Sequence, residues 1–246
     1  MFTPHATLAV EETIDGFVKS IGGIKISDEL PVPPPFENAD YLFRVAGVVI
    51  ELKEVTTEFA ESIGFKDKFI NLHEKHYKND PTWRPALLGG NGHTKEFSVD
   101  FIRLFREPLG RILKKANSQI KSTKINLPFE HGVGVVMLVN DGFKSLEPDF
   151  VRALLSDILL NSNSSVQCCI YMTINTYIDV PASDYAHLIW APAYSEKAPD
   201  SLVAFIDKLG SQWFQHLESL IDPFDVSLKA FDSSILNGSK TIKKSM

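Results

Sequence analysis

NADYLFRVAGVVIELKEV, residues 38–55, is the most informative stretch of this chain, because it sets charged side chains within strand-like sequence. Its β-branched and aromatic residues predict two short β-strands about a turn near Gly47. Asp40 lies on the first strand, and Glu51 and Lys53 lie on the second. Charged residues weaken a strand unless something compensates them, so their position here indicates a function.

The turn decides whether the two acids meet. Side chains alternate along a strand, so Glu51 and Lys53 share one face. A two-residue turn makes Asp40 the partner of Lys53 and the diagonal neighbour of Glu51, whereas a four-residue loop from Arg44 to Gly47 sets it opposite Glu51. A three-residue loop sends Asp40 to the other face unless a bulge intervenes. Either even loop leaves the two acidic Cβ atoms about 5 to 8 Å apart.

Two carboxylates at that separation repel each other, and a divalent cation removes the repulsion. Mg²⁺ prefers oxygen ligands and commonly takes one or two carboxylates together with water and substrate phosphate. Such a cation can polarise a phosphoryl oxygen and lower the pKa of a bound water. Lys53 points the same way as Glu51 and could hold the attacking water or neutralise the charge on phosphorus. The spacing predicts metal-dependent cleavage of a phosphodiester.

Asp40, ten intervening residues and then Glu51-Leu52-Lys53 resemble the D…(D/E)xK signature of the PD-(D/E)xK nuclease superfamily, the restriction-endonuclease-like fold. The resemblance covers residues 7–140. It implies that Asp40, Glu51 and the main-chain carbonyl of Leu52 are metal ligands, that Lys53 is the catalytic lysine, and that Mg²⁺ is the cofactor, with Mn²⁺ able to substitute. Alanine replaces the family's proline before Asp40.

Many members of that superfamily also carry a glutamine on the helix after this strand, and Gln119 is the candidate here. It lies beside an apolar stripe that includes Ile112 and Ala116, where an unpaired amide is costly. A catalytic partner explains it, as do hydrogen bonds within the core. Some members use a glutamate of the first helix; Glu11 and Glu12 are available, but both are expected to face solvent.

The remaining pattern predicts an α/β fold with a mixed sheet flanked by helices. By resemblance this is a restriction-endonuclease-like αβββαβ core with a C-terminal α/β extension, and the strands at 48–53 and 133–139 are joined by a right-handed crossover if they are parallel. Pro108 should kink or divide the helix that contains it. The predicted helices are 7–20, 55–80, 98–120, 147–160 and about 200–220, and the other predicted strands are 24–26, 166–175 and about 185–190.

The domain prediction follows from these elements. Residues 1–175 form the nuclease-like core, with a helical and loop insertion at about 55–97. Residues 176–232 form a C-terminal extension packed on the core. Residues 233–246 are polar and lysine-rich and are predicted to be a flexible tail.

Composition favours an ordinary globular protein. The chain has 246 residues with 44% hydrophobic residues. No apolar run reaches the roughly 18 residues of a membrane span, and the N-terminus lacks a secretory pattern. The two cysteines, Cys168 and Cys169, are adjacent and cannot form a disulfide framework, so they are expected to be packing residues. We therefore expect a cytoplasmic protein with no membrane contact.

The charge distribution bears on the partner. A net charge of −6 counts against unselective binding to nucleic acid. The stretch Arg103 to Lys124, however, holds seven basic residues against the single acid Glu107. It predicts contacts to phosphates of DNA, or alternatively RNA, although a solvated helix face has the same composition. A homodimer or a protein partner is also compatible.

Two functions follow from the sequence. The first is a Mg²⁺-dependent nuclease, acting on DNA rather than RNA. The alternative is a non-catalytic protein-interaction or nucleic-acid-binding module on the same fold. Other patterns are weaker: His73 and His76 lack the spacing and the third ligand of a zinc site, Gly89 to Gly92 lacks a phosphate-loop lysine, and Trp213 is expected in the core.

Overall fold

A mixed six-stranded β-sheet is the centre of the protein. The computed structural model describes residues 5–82, 94–129, 131–162, 164–181, 183–230 and 233–242. The sheet order is β1-β2-β3-β4-β5-β8, in which β3, β4 and β5 are parallel and the outer pairs are antiparallel. These strands are β1 Ile24–Lys25, β2 Tyr41–Phe43, β3 Val48–Val55, β4 Val133–Asn140, β5 Cys168–Thr173 and β8 Trp190–Tyr194.

Helices flank this sheet. They are α1 Val10–Ser20, α2 Ile63–Asn79, α3 Lys95–Asn126, α4 Pro148–Ser162 and α5 Asp200–Leu220. The apolar stripes of α1 and α5 share one core with Ile50 and its neighbours, and the Phe17 ring meets Trp213 edge to face at 5.2 Å. The opposite face of β4 meets α3, since a Cβ on Gly134 would lie 2.7 Å from Ile120. The predicted α/β class and the mixed sheet flanked by helices are confirmed. The condition that the sequence left open for β3 and β4 is met, because the two strands are parallel.

The chain divides into two compact units. The first comprises residues 1–57 and 112–246, and contains both the sheet and the charged stretch of β3. The second spans Glu58–Arg111, where the sequence predicted an insertion at about 55–97. Its core is aromatic: Phe97 of α3 and Leu72 of α2 are buried, and Phe65, Phe69 and Phe101 pack beside them. The predicted helix 98–120 is longer than expected and is not divided at Pro108.

The C-terminal region differs most from expectation. The strand predicted near 185–190 is two strands, β7 Ala186–His187 and β8, which belong to different sheets. A second sheet of order β7-β6-β9 contains β6 Tyr177–Asp179 and β9 Lys240–Ile242. Strand β9 lies inside segment 233–246, which the sequence predicted to be a flexible tail. It is ordered as a strand there because its polar backbone groups pair with those of β6.

None of the described helices combines the length and the apolar character that crossing a lipid bilayer requires.

Candidate functional site

The turn between β2 and β3 sets the position of Asp40. Phe43 pairs with Val48, so the loop has four residues, and Gly47 takes a φ of 68° that side-chain-bearing residues rarely adopt. Of the alternatives that the sequence left open, the four-residue loop is the one observed. The Asp40 N–H donates to the carbonyl of Ile50 at 3.1 Å, which keeps Asp40 beside the second strand.

The Asp40 carboxylate is fixed by the backbone of β3. Its Oδ2 accepts a 2.7 Å hydrogen bond from the Leu52 N–H. Burial raises the pKa of Asp40, although this hydrogen bond and the charge of Lys53 oppose the rise. By strand alternation Asp40 and Glu51 both lie on the face turned away from the Tyr41 and Ile50 side chains. The two acids predicted to meet are therefore neighbours.

Glu51 is the most perturbed carboxylate of this site. The residue is only 1% exposed, and Oε1 accepts a hydrogen bond from the Lys53 ammonium. Oε2 is buried and has no hydrogen-bond partner within the described part of the chain. Burial, followed by the negative charge of Asp40, raises the pKa of Glu51 from 4.5 to about 7, and Lys53 only partly offsets this. Glu51 is therefore a buried carboxylate whose ionised form Lys53 stabilises only in part.

Gln119 joins the charged strand to α3. The Lys53 Nζ donates to Gln119 Oε1 at 3.0 Å, and the Gln119 amide donates to the Asn38 carbonyl at 3.3 Å. The half-buried amide is thus fully engaged, and one side chain ties the lysine to the segment that precedes Asp40. The structure brings all four predicted residues, Asp40, Glu51, Lys53 and Gln119, into one contiguous group.

Thr123 is a residue of this site that the sequence analysis missed. It is fully buried, and its Oγ1 accepts a 2.7 Å hydrogen bond from the Ala39 N–H. Because Ala39 directly precedes Asp40, this contact anchors the backbone next to Asp40 to α3. Its position one helical turn after Gln119 was the available signal, but a threonine on a helix is ordinarily read as a solvent-facing residue.

A cleft opens beside this group. It has a volume of about 510 Å³. One wall is the proline-rich segment 34–38, and the other is formed by Lys115 and Gln119 of α3. Gln119 is therefore both a wall of the cleft and the hydrogen-bond partner of Lys53.

The donor set fits a divalent cation only in part. Asp40 and Glu51 supply two neighbouring carboxylates, and one Glu51 oxygen has no hydrogen-bond partner among the described residues. Oxygen donors of this kind suit Mg²⁺. Among the residues that the structure describes, however, no group of three or more His, Cys, Asp or Glu side chains could hold a metal ion. A cation at this pair would need further ligands from main chain, water or substrate.

The predicted basic stretch lies on α3 and is not uniform. Arg103 pairs with Asp100, and Arg111 pairs with Glu107, so acids of the second unit neutralise these two. Further along the helix, Lys114, Lys115 and Lys121 are exposed and form no ion pair with any described residue. Of these three lysines, Lys115 lines the cleft.

The other sequence candidates take structural positions. His76 is buried and lies 3.2 Å from Asp100, and His73 contacts the Phe69 carbonyl at 2.8 Å. Glu11 is exposed and pairs with Lys25. Cys168, Cys169 and Trp213 are buried in the core. The glycine-rich segment Gly89 to Gly92 lies outside the described residues.

Comparisons of the chain with protein-family models, with curated proteins and with solved structures return no match.

Proposed function

We propose that this protein is a Mg²⁺-dependent nuclease that hydrolyses phosphodiester bonds in DNA, on a restriction-endonuclease-like fold. The observation that carries the proposal is the contact group of Lys53. Its ammonium touches both Glu51 and Gln119, next to Asp40 and beside an open cleft. A structural ion pair alone explains neither the second acid nor the unpartnered Glu51 oxygen.

Asp40 and Glu51 are the residues that would hold the cation, with the Leu52 carbonyl as the third ligand that the family resemblance implies. The Leu52 N–H keeps the Asp40 carboxylate in place. The cation held there would supply Lewis-acid chemistry, that is, polarisation of a phosphoryl oxygen and compensation of the negative charge that develops when water displaces the leaving oxygen from phosphorus. Mn²⁺ offers the same oxygen-ligand chemistry.

Lys53 supplies the mobile positive charge. Lys53 pairs with Glu51, so the charge of the lysine is not available to a phosphate. Once Glu51 is neutralised in another way, the ammonium can donate to a phosphoryl oxygen or orient the attacking water. Gln119 is a positioning residue, because it holds the lysine through Oε1 while its own amide is anchored on Asn38.

The test is DNA cleavage by purified protein and matched variants. We expect plasmid and single-stranded DNA to be cut in Mg²⁺ or Mn²⁺ and not in EDTA. Glu51→Gln and Lys53→Met should each reduce the rate by at least about 10²-fold, the typical cost of losing an electrostatic group in the transition state. Glu54→Gln, an exposed carboxylate on the same strand, is the matched control and should keep the rate. Equal activity in all four proteins would falsify the proposal.

One observation favours a second candidate, a non-catalytic module that binds nucleic acid. Glu51 is 1% exposed, which is unusually covered for a carboxylate that must meet a ligand. On this alternative the Glu51–Lys53 pair only stabilises the fold. It predicts binding of nucleic acid without cleavage, and binding that survives Glu51→Gln.

A further inference from the structure

The cleft beside Lys53 carries a chemistry that phosphodiester hydrolysis alone does not require. The wall formed by segment 34–38 presents Pro34, Pro35 and the half-buried ring of Phe36. Prolines and an aromatic ring offer flat apolar surface. The facing wall, on α3, presents the exposed ammonium of Lys115. Such a combination of ring and cation is what single-stranded nucleic acid uses, with bases on aromatic rings and phosphates on basic side chains.

The cleft is large enough for one nucleotide. Its volume of about 510 Å³ lies within the range of pockets that hold one small ligand, roughly 300 to 1,000 Å³. A base in continuous duplex would have to leave its stack before it could reach Phe36, and unstacking is unfavourable.

Charge orients the occupant. Lys115 and Glu37 lie on different walls, α3 and segment 34–38. A phosphate is attracted by Lys115 and repelled by Glu37, whereas a base can offer amino hydrogens to the Glu37 carboxylate. The phosphate of a bound nucleotide therefore belongs on the α3 side. Gln119, the residue that holds Lys53, is on that side as well.

We propose that this cleft binds one unpaired nucleotide next to the scissile phosphate, with its base on Phe36 and its phosphate on Lys115, so that the substrate is single-stranded DNA. Only the role of the bound strand as a substrate rests on the proposed function. The binding site itself stands on the walls of the cleft, and it assigns Phe36 and Lys115 a role in selecting the strand.

The test is fluorescence anisotropy with a labelled oligonucleotide, single-stranded or annealed to its complement, with Ca²⁺ in place of Mg²⁺. We expect tighter binding of the single strand. Phe36→Ala should weaken single-strand binding by about 5- to 140-fold, the range for loss of one stacked base, and should leave duplex binding unchanged. Lys115→Ala should weaken single-strand binding and reduce its dependence on salt.

Controls separate stacking from folding. Phe36→Trp keeps an aromatic surface and should retain single-strand affinity, whereas a structural role for Phe36 would make the larger ring as harmful as alanine. Tyr185→Ala and Lys208→Ala remove exposed residues outside the cleft and should change neither affinity. Equal affinity of the wild type for single strand and duplex, or full single-strand affinity in Phe36→Ala, overturns the proposal.

The binding measurement, taken together with the cleavage assay in Mg²⁺, distinguishes failure of this inference from failure of the nuclease proposal. Selective binding that depends on Phe36 and Lys115, with no cleavage in Mg²⁺, leaves the nucleotide site standing and removes the enzyme. Cleavage of duplex DNA that depends on Glu51 and does not depend on Phe36 supports the nuclease and removes the nucleotide site.

Discussion

Glu51→Gln should remove a pH dependence of stability that the buried carboxylate imposes. Burial and Asp40 raise the pKa of Glu51 from 4.5 to about 7. Since ionised Glu51 is disfavoured in the folded protein, its contribution to stability is present in full below about pH 4.5 and is lost as the pH rises through about 7. A pKa difference of about 2.5 corresponds to about 3 kcal/mol of unfolding free energy. Glutamine does not ionise, so the unfolding free energy of the variant should lack this pH dependence.

The assay is urea unfolding in EDTA at intervals between about pH 4 and pH 8.5, followed by tryptophan fluorescence, which reports on the buried Trp213. The quantity compared is the unfolding free energy of the wild type minus that of Glu51→Gln. We expect this difference to be about 3 kcal/mol larger at low pH than at high pH. Glu12→Gln, which removes an exposed carboxylate on α1, controls for the change in net charge.

The outcome that refutes this reasoning is specific. If the wild type and Glu51→Gln have parallel pH profiles, the carboxylate is solvated in the folded protein and its deficit of positive charge does not exist. Without a destabilised carboxylate at Glu51, there is no electrostatic reason for a cation to bind at Asp40 and Glu51. A parallel profile would also remove the distinction between this acid and an ordinary surface pair.

Further predictions concern the cation and the residues around it. Mg²⁺ at about 100 times its dissociation constant should stabilise the wild type at pH 8 by about 2.7 kcal/mol and leave Glu51→Gln unchanged, which thermal unfolding measures; equal shifts in both proteins would place the ion elsewhere. Gln119→Ala should lower kcat more than it raises KM, because the lysine loses its anchor, and Gln119→Glu should restore part of the rate; a change in KM alone contradicts this role. Thr123→Val should destabilise the protein by about 1 to 3 kcal/mol in urea titrations, since the Ala39 N–H is left buried and unpaired, whereas Thr123→Ser should not. Gly134→Ala should cost about 1 to 3 kcal/mol or more, because its Cβ would lie 2.0 Å from the Ser165 carbonyl oxygen.

The sequence was sufficient for the strand that carries the site. Alternation along residues 48–55 put Glu51 and Lys53 on one face, and the apolar run at 133–139 predicted a buried strand. The structure shows that this strand pairs in parallel with the first. Both inferences depend on short-range periodicity, which a single sequence contains. Gln119 was a candidate through the family resemblance, and helical periodicity placed it beside the apolar stripe of α3.

The remaining features depend on information that periodicity does not carry. The four-residue loop was one of three alternatives, because the left-handed conformation of Gly47 is a property of the turn and not of the strands. The buried contact from Thr123 to Ala39 joins residues 84 positions apart. The pairing of β9 with β6 gives a lysine-rich segment a strand that its composition opposes.

The central claim is that Asp40 and Glu51 together hold one divalent cation beside Lys53. Its most direct test is the anomalous scattering of Mn²⁺ in crystals of the protein grown with that ion. The account predicts a single strong peak within coordination distance of both carboxylates, with the lysine ammonium turned from Glu51 towards the cleft. Absence of a peak at this pair at saturating Mn²⁺, with the Glu51–Lys53 ion pair intact, would contradict it.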